Sequence, residues 1–355
     1  MTQIDMPKQV RPGEELDIVK LESYLRDVLP GLDGAIEVRQ FPSGYSNLTY
    51  LICFGQKEFI LRRPPLGKKA KTAHDMKREY TILKALRPYF RYVPQPITYC
   101  EDPEVMDSAF YVMERIPGII LRKDFPKELA IDEKGARQLS ENLMSVFCQL
   151  HGLDVRDCGL EGLGKPQDYV KRQVSGWSDR YRDARTEDVP DLEEVMAWLQ
   201  ANMVADDFRA TVIHNDFKFD NVILNPSNPL EIIGVVDWEM ATLGHPLMDL
   251  GASLAYWINR DDPVEFSAMR TLPTQEPGMP TRKEMVRIYE QFSGSRIEGF
   301  EFYYCFGLFR LAVIVQQIYY RYFHGQTRDE RFKMFRFVVA LLEKVCLRVI
   351  SEGFF

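Results

Sequence analysis

Three oxygen-bearing side chains stand at a spacing that could move a phosphoryl group. The segment from Val212 to Gly251 reads VIHNDFKFDNVILNPSNPLEIIGVVDWEMATLGHPLMDLG, with Asp216 and Asn221 in one short loop and Asp237 after the next apolar run. Phosphoryl transfer to a hydroxyl needs one carboxylate beside the acceptor and hard oxygen ligands for magnesium beside the triphosphate. Asp216 is placed to take or orient the hydroxyl proton. Asn221 and Asp237 would hold the magnesium ion. Each alone could cap a turn or a helix, but in this order they favour ATP-dependent transfer to a hydroxyl.

A competing set joins His214 and His245 to Asp216 and Asp249, which together could bind zinc or manganese in a hydrolase. That set lacks the HxH or HExxH spacing of such sites. Asp249, expected just before a helical run, is read instead as an acceptor of backbone N–H groups that braces the loop. His245, between Gly244 and Pro246, is read as structural.

The elements that must position these groups follow from periodicity. A helical pattern spans 15–29, and strand signals follow at 35–41, 48–54 and 58–62, the last two joined across Gly55-Gln56. A helix is expected over 73–87 and an extended pair near 97–100 and 109–114. Pro117-Gly118 then reads as a hinge. Beyond it helices are expected over 128–153, 166–186, 189–206 and 283–293, with two long ones in 301–351 broken near Gly325. Strands there are confined to 211–213, 221–224 and 231–236. Strand-rich first and helix-rich second implies an α+β chain of two lobes, 1–116 and 117–355.

Bulk properties narrow the class. The 355 residues are 45% hydrophobic and 27% charged, as in a soluble globular protein. A formal net charge of −7 argues against a nucleic-acid partner. The 6 cysteines are scattered without a CxxC pair, which points to small buried side chains rather than a zinc site or disulfide framework. No charge-free apolar run of about 18 residues exists, and the N-terminus lacks a signal-peptide core. A cytoplasmic protein without a membrane partner is expected.

HNDFKFDN followed by VVDWE resembles the aminoglycoside phosphotransferase and choline kinase group, which shares the bilobal protein-kinase-like fold. PSGYSN, LRRPP and GHPLMDLG are similar to a branch that also occurs as the N-terminal domain of acyl-CoA dehydrogenase-like proteins. The resemblance runs over about residues 37–350. It implies ATP and Mg2+ as cofactors, Asp216 as catalytic base, and Asn221 and Asp237 as metal ligands. Ser43, Gly44, Ser46 and Asn47 would lie in the flap over the phosphates, where backbone N–H groups can cradle anions. Arg62 takes the place of the fold's phosphate-binding lysine, and Glu79 that of its glutamate partner. Arginine stays charged and offers a planar fork, so this departure alters geometry and admits a nucleotide-binding module with little turnover. Glu114 and Ile116 would read adenine through backbone groups.

The acceptor is less legible. Acids at Asp261, Asp262, Glu265, Glu298 and Glu301 are too dispersed to form the surface a polycationic aminoglycoside needs. Tyr256, Trp257, Tyr303, Arg310, Gln317 and Tyr320 are candidate pocket residues, although the aromatic run 302–323 also reads as buried core. An apolar wall with one arginine suits a hydroxyacyl-type compound better than a polycation. The basic stretch of Arg62, Arg63, Lys68, Lys69, Lys71, Lys77 and Arg78 reads as solvated surface able to attract ATP or a phosphorylated carrier.

Overall fold

The computed structural model describes residues 6–41, 47–65, 75–205 and 208–354. In chain order the first elements are α1 (Ile18–Val28), β1 (Ile36–Gln40), β2 (Leu48–Phe54), β3 (Lys57–Arg63), α2 (Met76–Leu86), β4 (Pro96–Cys100), β5 (Phe110–Glu114), α3 (Glu133–His151), α4 (Tyr169–Ala184) and α5 (Glu193–Ala201). They continue with β6 (Thr211–Ile213), β7 (Val222–Asn225), β8 (Asn228–Val235), β9 (Thr242–Gly244), α6 (Pro246–Leu254), α7 (Arg282–Ser293), α8 (Phe300–Phe323) and α9 (Phe335–Glu352). Two compact units share them: Met1–Ile120 with Asn221–Ala241, and Leu121–Asp220 with Thr242–Phe355.

In the first unit, alternation decides the sheet. Its strands run antiparallel in the order β1-β2-β3-β5-β4. Successive side chains on a strand point to opposite faces. One set, including Tyr50, Ile52, Phe54, Leu61, Phe110 and Val112, joins Leu21 and Leu25 of α1 in a closed apolar core. The alternate set includes Arg62, which stands opposite Tyr111 in register. Helix α2 is N-capped by Asp75, which accepts from the Arg78 N–H at 2.9 Å. Its buried stripe is Met76, Glu79, Ile82, Leu83 and Leu86, a helical spacing that carries a carboxylate inward.

The β7–β8 hairpin belongs to this unit too. Ile119 and Leu224 exchange backbone hydrogen bonds of 3.0 and 2.8 Å, and the Val235 N–H donates to the Tyr92 carbonyl at 2.8 Å. A side chain on Gly118 would run into Ile223 and the Leu224 carbonyl, so this glycine serves a close backbone approach within the unit.

The second unit is helical. Helix α8 packs extensively on both α6 and α9, and β6 pairs antiparallel with β9. A Cβ on Gly251 would strike the Tyr303 carbonyl, and one on Gly307 the Gly251 carbonyl, so two glycines let α6 and α8 cross at backbone contact. By length and composition α8 could cross a bilayer, but 78% of that stretch is buried within the protein, as befits a core helix.

Several predicted boundaries shift for local reasons. Residues 127–129 form a separate turn closed by Ala130 at φ 46°, and α3 starts only after Asp132 accepts the Gly135 N–H at 2.8 Å. Leu192 at φ 53° delays α5 to Glu193, so the helix expected over 189–206 is half as long. Strand β9 was not anticipated as an element, and the helical run expected after Asp249 starts earlier, at Pro246. Asp249 therefore lies inside a helix, rather than before one.

Candidate active site

The residues singled out in the sequence fall into two sets, one in each unit. In the first unit the hairpin makes neighbours of residues sixteen apart in the chain: Val222 pairs with Val235, and the Val236 N–H donates to the Asn221 carbonyl at 2.9 Å. Asn221 and Asp237 thus leave adjacent backbones at one end of the hairpin. Asp237 sits at φ 67°, ψ 61°, in the left-handed region that L-residues visit at a cost, turning its carboxylate out of the strand direction. One amide oxygen and one carboxylate form a hard donor pair that fits a magnesium ion retaining water ligands.

Arg62 is buried against this end. One guanidinium nitrogen donates to Glu79 Oε1 at 2.8 Å and another to Asp237 Oδ1 at 3.1 Å, with Glu239 Oε2 at 4.0 Å. Burial works against its charge, but Glu79, Tyr111, Asp237 and Glu239 outweigh that and hold it well above the ordinary arginine value. Burial also pushes the Glu79 carboxyl up, with Arg62 opposing. A buried charge is tolerated only when paired in this way. Asn47 is buried and donates to Glu239 Oε2 at 2.8 Å. Glu239 escaped the sequence reading, although its place two residues after Asp237 was the available signal.

Of the other expected nucleotide contacts, Ser43, Gly44 and Ser46 lie outside the described residues, as do Lys68, Lys69 and Lys71. The Glu114 N–H donates to the Gln95 carbonyl at 2.9 Å. Its own carbonyl and the Ile116 N–H are left for the expected reading of adenine. Arg78, expected as solvated surface, is half-buried and donates to the carbonyls of Glu239 and Ala241.

In the second unit the loop carrying Asp216 is fixed from below by α6. Asp249 is fully buried and accepts the N–H groups of His214 and Asn215 at 2.6 and 2.7 Å. Four residues along the same helix face, Ser253 Oγ donates to the Phe217 carbonyl at 2.6 Å. His151 Nε2 lies 3.2 Å from Asp249 Oδ2, and its Nδ1 lies 2.8 Å from the Tyr289 hydroxyl. Asn215 stands at φ 64°, the bend that presents Asp216. His151 and Ser253 were missed because nothing local links them to the motif.

Asp216 is gripped by Lys218, whose ammonium lies 2.9 Å from both carboxylate oxygens, 3.7 Å from Asp220 and 4.4 Å from the centre of the Tyr256 ring. Burial opposes the ammonium, but Tyr256, Asp216 and Asp220 outweigh it and raise its pKa. Burial pushes Asp220 up, with Lys218 opposing. Lys218 lay inside the motif and was passed over in the sequence.

The acceptor candidates divide. Tyr256 faces Lys218, and burial pushes its hydroxyl pKa up, with Lys218 and then Arg310 opposing; Arg310 itself lies buried over the Trp177 ring at 5.1 Å. Trp257 spends its N–H on the Pro280 carbonyl at 2.8 Å, and the Tyr303 hydroxyl meets His245 Nε2 at 3.0 Å. Gln317 is exposed and Tyr320 is half-buried against His324. Asp262 is consumed by a buried pair with Arg282, at 2.5 and 2.6 Å. His245 caps α6, accepting the Leu247 N–H at 3.1 Å, while His214 serves the loop, so the two histidines are built into different features.

A five-stranded antiparallel sheet with a buried Arg–Glu pair, followed by a mainly helical unit carrying the Asp216 loop, defines an α+β fold of the kinase-like aminoglycoside phosphotransferase kind. A candidate aminoglycoside phosphotransferase of Ralstonia eutropha superposes with a TM-score of 0.78 at 28% identity, covering 94% of this chain and 99% of that one. An ADP-bound aminoglycoside phosphotransferase shares the fold at a TM-score of 0.59 and 15% identity, over 93% of this chain and 99% of that one. The model of the phosphotransferase enzyme family, APH, matches residues 37–283, and the chain belongs to that family. It is also 32% identical to human acyl-CoA dehydrogenase family member 11, over 98% of this chain but only 44% of that protein. The chain thus spans less than half the length of this curated relative.

Proposed function

We propose that this chain is an ATP- and magnesium-dependent phosphotransferase acting on the hydroxyl of a small molecule. Nucleotide binding is assigned to the sheet unit: Arg62, held by Glu79, binds phosphate oxygens, and Asn221 and Asp237 hold magnesium. Ser43, Gly44, Ser46 and Asn47 supply donors to the phosphates, while the Glu114 carbonyl and the Ile116 N–H take the adenine edge. Magnesium held there would supply positive charge to offset that of the phosphates. Catalysis is assigned to the helical unit, where Asp216 orients the acceptor hydroxyl and receives its proton, and Lys218 compensates the local negative charge.

The observation that carries this reading is the buried guanidinium shared between Glu79 and Asp237. Such a group is costly to bury, and a merely structural role would be met more cheaply by apolar side chains. The ADP-bound fold neighbour supports a nucleotide donor, and six free cysteines support a reducing, cytoplasmic setting.

The acceptor is proposed to be a hydroxyacyl-type compound rather than an aminoglycoside. Lys218 and Tyr256 beside Asp216, with Arg310 behind, disfavour a polycation and suit a neutral or anionic molecule. The name of the human relative supports an acyl compound by analogy. Neither nucleic acid nor a membrane enters the reaction.

The test is ATP consumption over a panel of acyl-linked, neutral and polycationic hydroxy compounds, with Asp216→Asn as control. Magnesium-dependent turnover on a hydroxyacyl compound, lost in the control, is expected. Magnesium-dependent nucleotide binding without any stimulating acceptor would leave the alternative, a nucleotide-binding module with little turnover.

A further inference from the structure

We infer that Arg62 is a resident counter-ion of the magnesium seat, which holds Asp237 while nucleotide is absent and so makes metal and nucleotide enter together. This rests on the proposed role of Asp237 as a magnesium ligand. Every group involved lies within the first unit.

The guanidinium is a planar fork with two arms in use, one on Glu79 Oε1 at 2.8 Å and one on Asp237 Oδ1 at 3.1 Å. Glu239 Oε2, 4.0 Å from the second arm, is drawn the other way by the Asn47 amide at 2.8 Å. Arginine cannot shed its proton to make room for another cation. Magnesium on Asp237 would sit about 2 Å from a carboxylate oxygen. That brings a divalent cation within roughly 5 Å of a fixed positive charge that is itself buried, so salt screens it less than it would a charge on an open surface.

Metal alone must therefore bind a carboxylate already paired with that arm, with no added negative charge to offset the two neighbouring cations. A nucleotide changes the balance, because its phosphate oxygens give that arm a new acceptor and place negative charge between the two cations. The first arm stays on Glu79 throughout. A lysine would carry the same charge as a single point without a rigid second arm. The difference between arginine and lysine here is thus a difference in how strongly the metal depends on the nucleotide.

The experiment titrates Mn2+ as the metal probe by calorimetry, without and with ADP, on the full chain and on Arg62→Lys. In the wild type, ADP is expected to tighten Mn2+ binding by at least about fivefold, the lower range of coupling between linked sites. In Arg62→Lys, Mn2+ alone is expected to bind at least about fivefold tighter, and the effect of ADP to shrink. Arg62→Gln, neutral and still able to reach Glu79, is a second variant that should move metal-alone binding in the same direction and further. Equal metal-alone affinities across the three proteins, or no tightening by ADP in the wild type, overturn the inference. Asp237→Asn separates the two layers. If it leaves Mn2+ binding with ADP unchanged, the ligand assignment falls and the inference with it. If it abolishes that binding while Arg62→Lys matches the wild type, the counter-ion role alone falls.

Discussion

Arg62, buried in the sheet unit, and Lys218, partly buried in the helical unit, are both cations set among carboxylates, yet they are built differently. Arg62 divides a rigid fork between Glu79, at 2% exposure, and Asp237, at 37%. Lys218 concentrates one point of charge on both oxygens of Asp216 and rests its ammonium on an aromatic face. The fork ties together two elements, α2 and the end of the β7–β8 hairpin, and fixes their spacing. The point charge ties together one loop and leaves Asp216 at 19% exposure, where an incoming hydroxyl can reach it. A guanidinium suits a group that must hold position, and an ammonium suits one that must let a carboxylate change partners.

The strongest way to break this comparison is to remove a carboxylate from each cluster. Asp216→Asn should lower kcat by about 10²–10⁴-fold, the usual worth of a positioned acid–base group, while ADP binding stays intact. Asp237→Asn should instead abolish the magnesium dependence of ADP binding. Steady-state rates and calorimetry on both variants give the answer, and the same phenotype in both would dissolve the distinction.

A smaller effect separates the clusters by stability. Glu79→Ala leaves the Arg62 guanidinium sealed in with only the weaker part of its pairing, so a loss of about 3 kcal/mol is expected. Lys218→Met leaves Asp216 and Asp220, both partly reached by water, and should lose only about 1–2 kcal/mol. Urea midpoints at unchanged m-value measure both. A larger loss for Lys218→Met would mean that its cluster, not that of Arg62, holds the more demanding charge.

How much of this was legible in the sequence follows from the range of the interactions. The order Asp216, Asn221, Asp237 could be read because loop and hairpin are contiguous. Arg62 and Glu79 could be aligned because a strand and a helix each carry them at fixed offsets. The burial of Glu79 was not readable, since a glutamate at a helical spacing looks like a solvated face until the sheet covers it. The return of the hairpin to the sheet unit depends on Ile119 and Leu224 pairing across a hundred residues. Asp249 was read as an N–H acceptor just before a helix; it is that acceptor, but the helix starts three residues earlier, at Pro246, with His245 as its cap. Lys218 and Glu239 were visible and undervalued, each two residues after a carboxylate already chosen.

The smallest expected effect calibrates the comparison with a carboxylate that water reaches. Glu284, three residues into α7, accepts the Thr281 N–H at 2.8 Å and pairs with Arg137 at 2.6 Å, in a capping box. The Thr281 N–H bond, and then Arg137, hold its carboxyl below the ordinary glutamate value, whereas burial raises Glu79 and Asp220. The signs therefore oppose. The contribution of Glu284 is present above its unfolded pKa and is lost as pH falls through its lowered folded pKa. A raised carboxyl such as Glu79 or Asp220 destabilises the fold increasingly as pH climbs from the unfolded pKa to the folded one. Glu284→Gln should cost about 0.5 kcal/mol at neutral pH, since solvent screens a side chain this exposed, and the gap from wild type should narrow as pH falls below the ordinary glutamate range and through the lowered folded pKa. Thermal melts across that window measure it. A gap that stayed constant with pH would mean that shape and hydrogen bonding, rather than charge, stabilise this cap, and the same discount would then apply to the charged part of the Arg62 and Lys218 clusters.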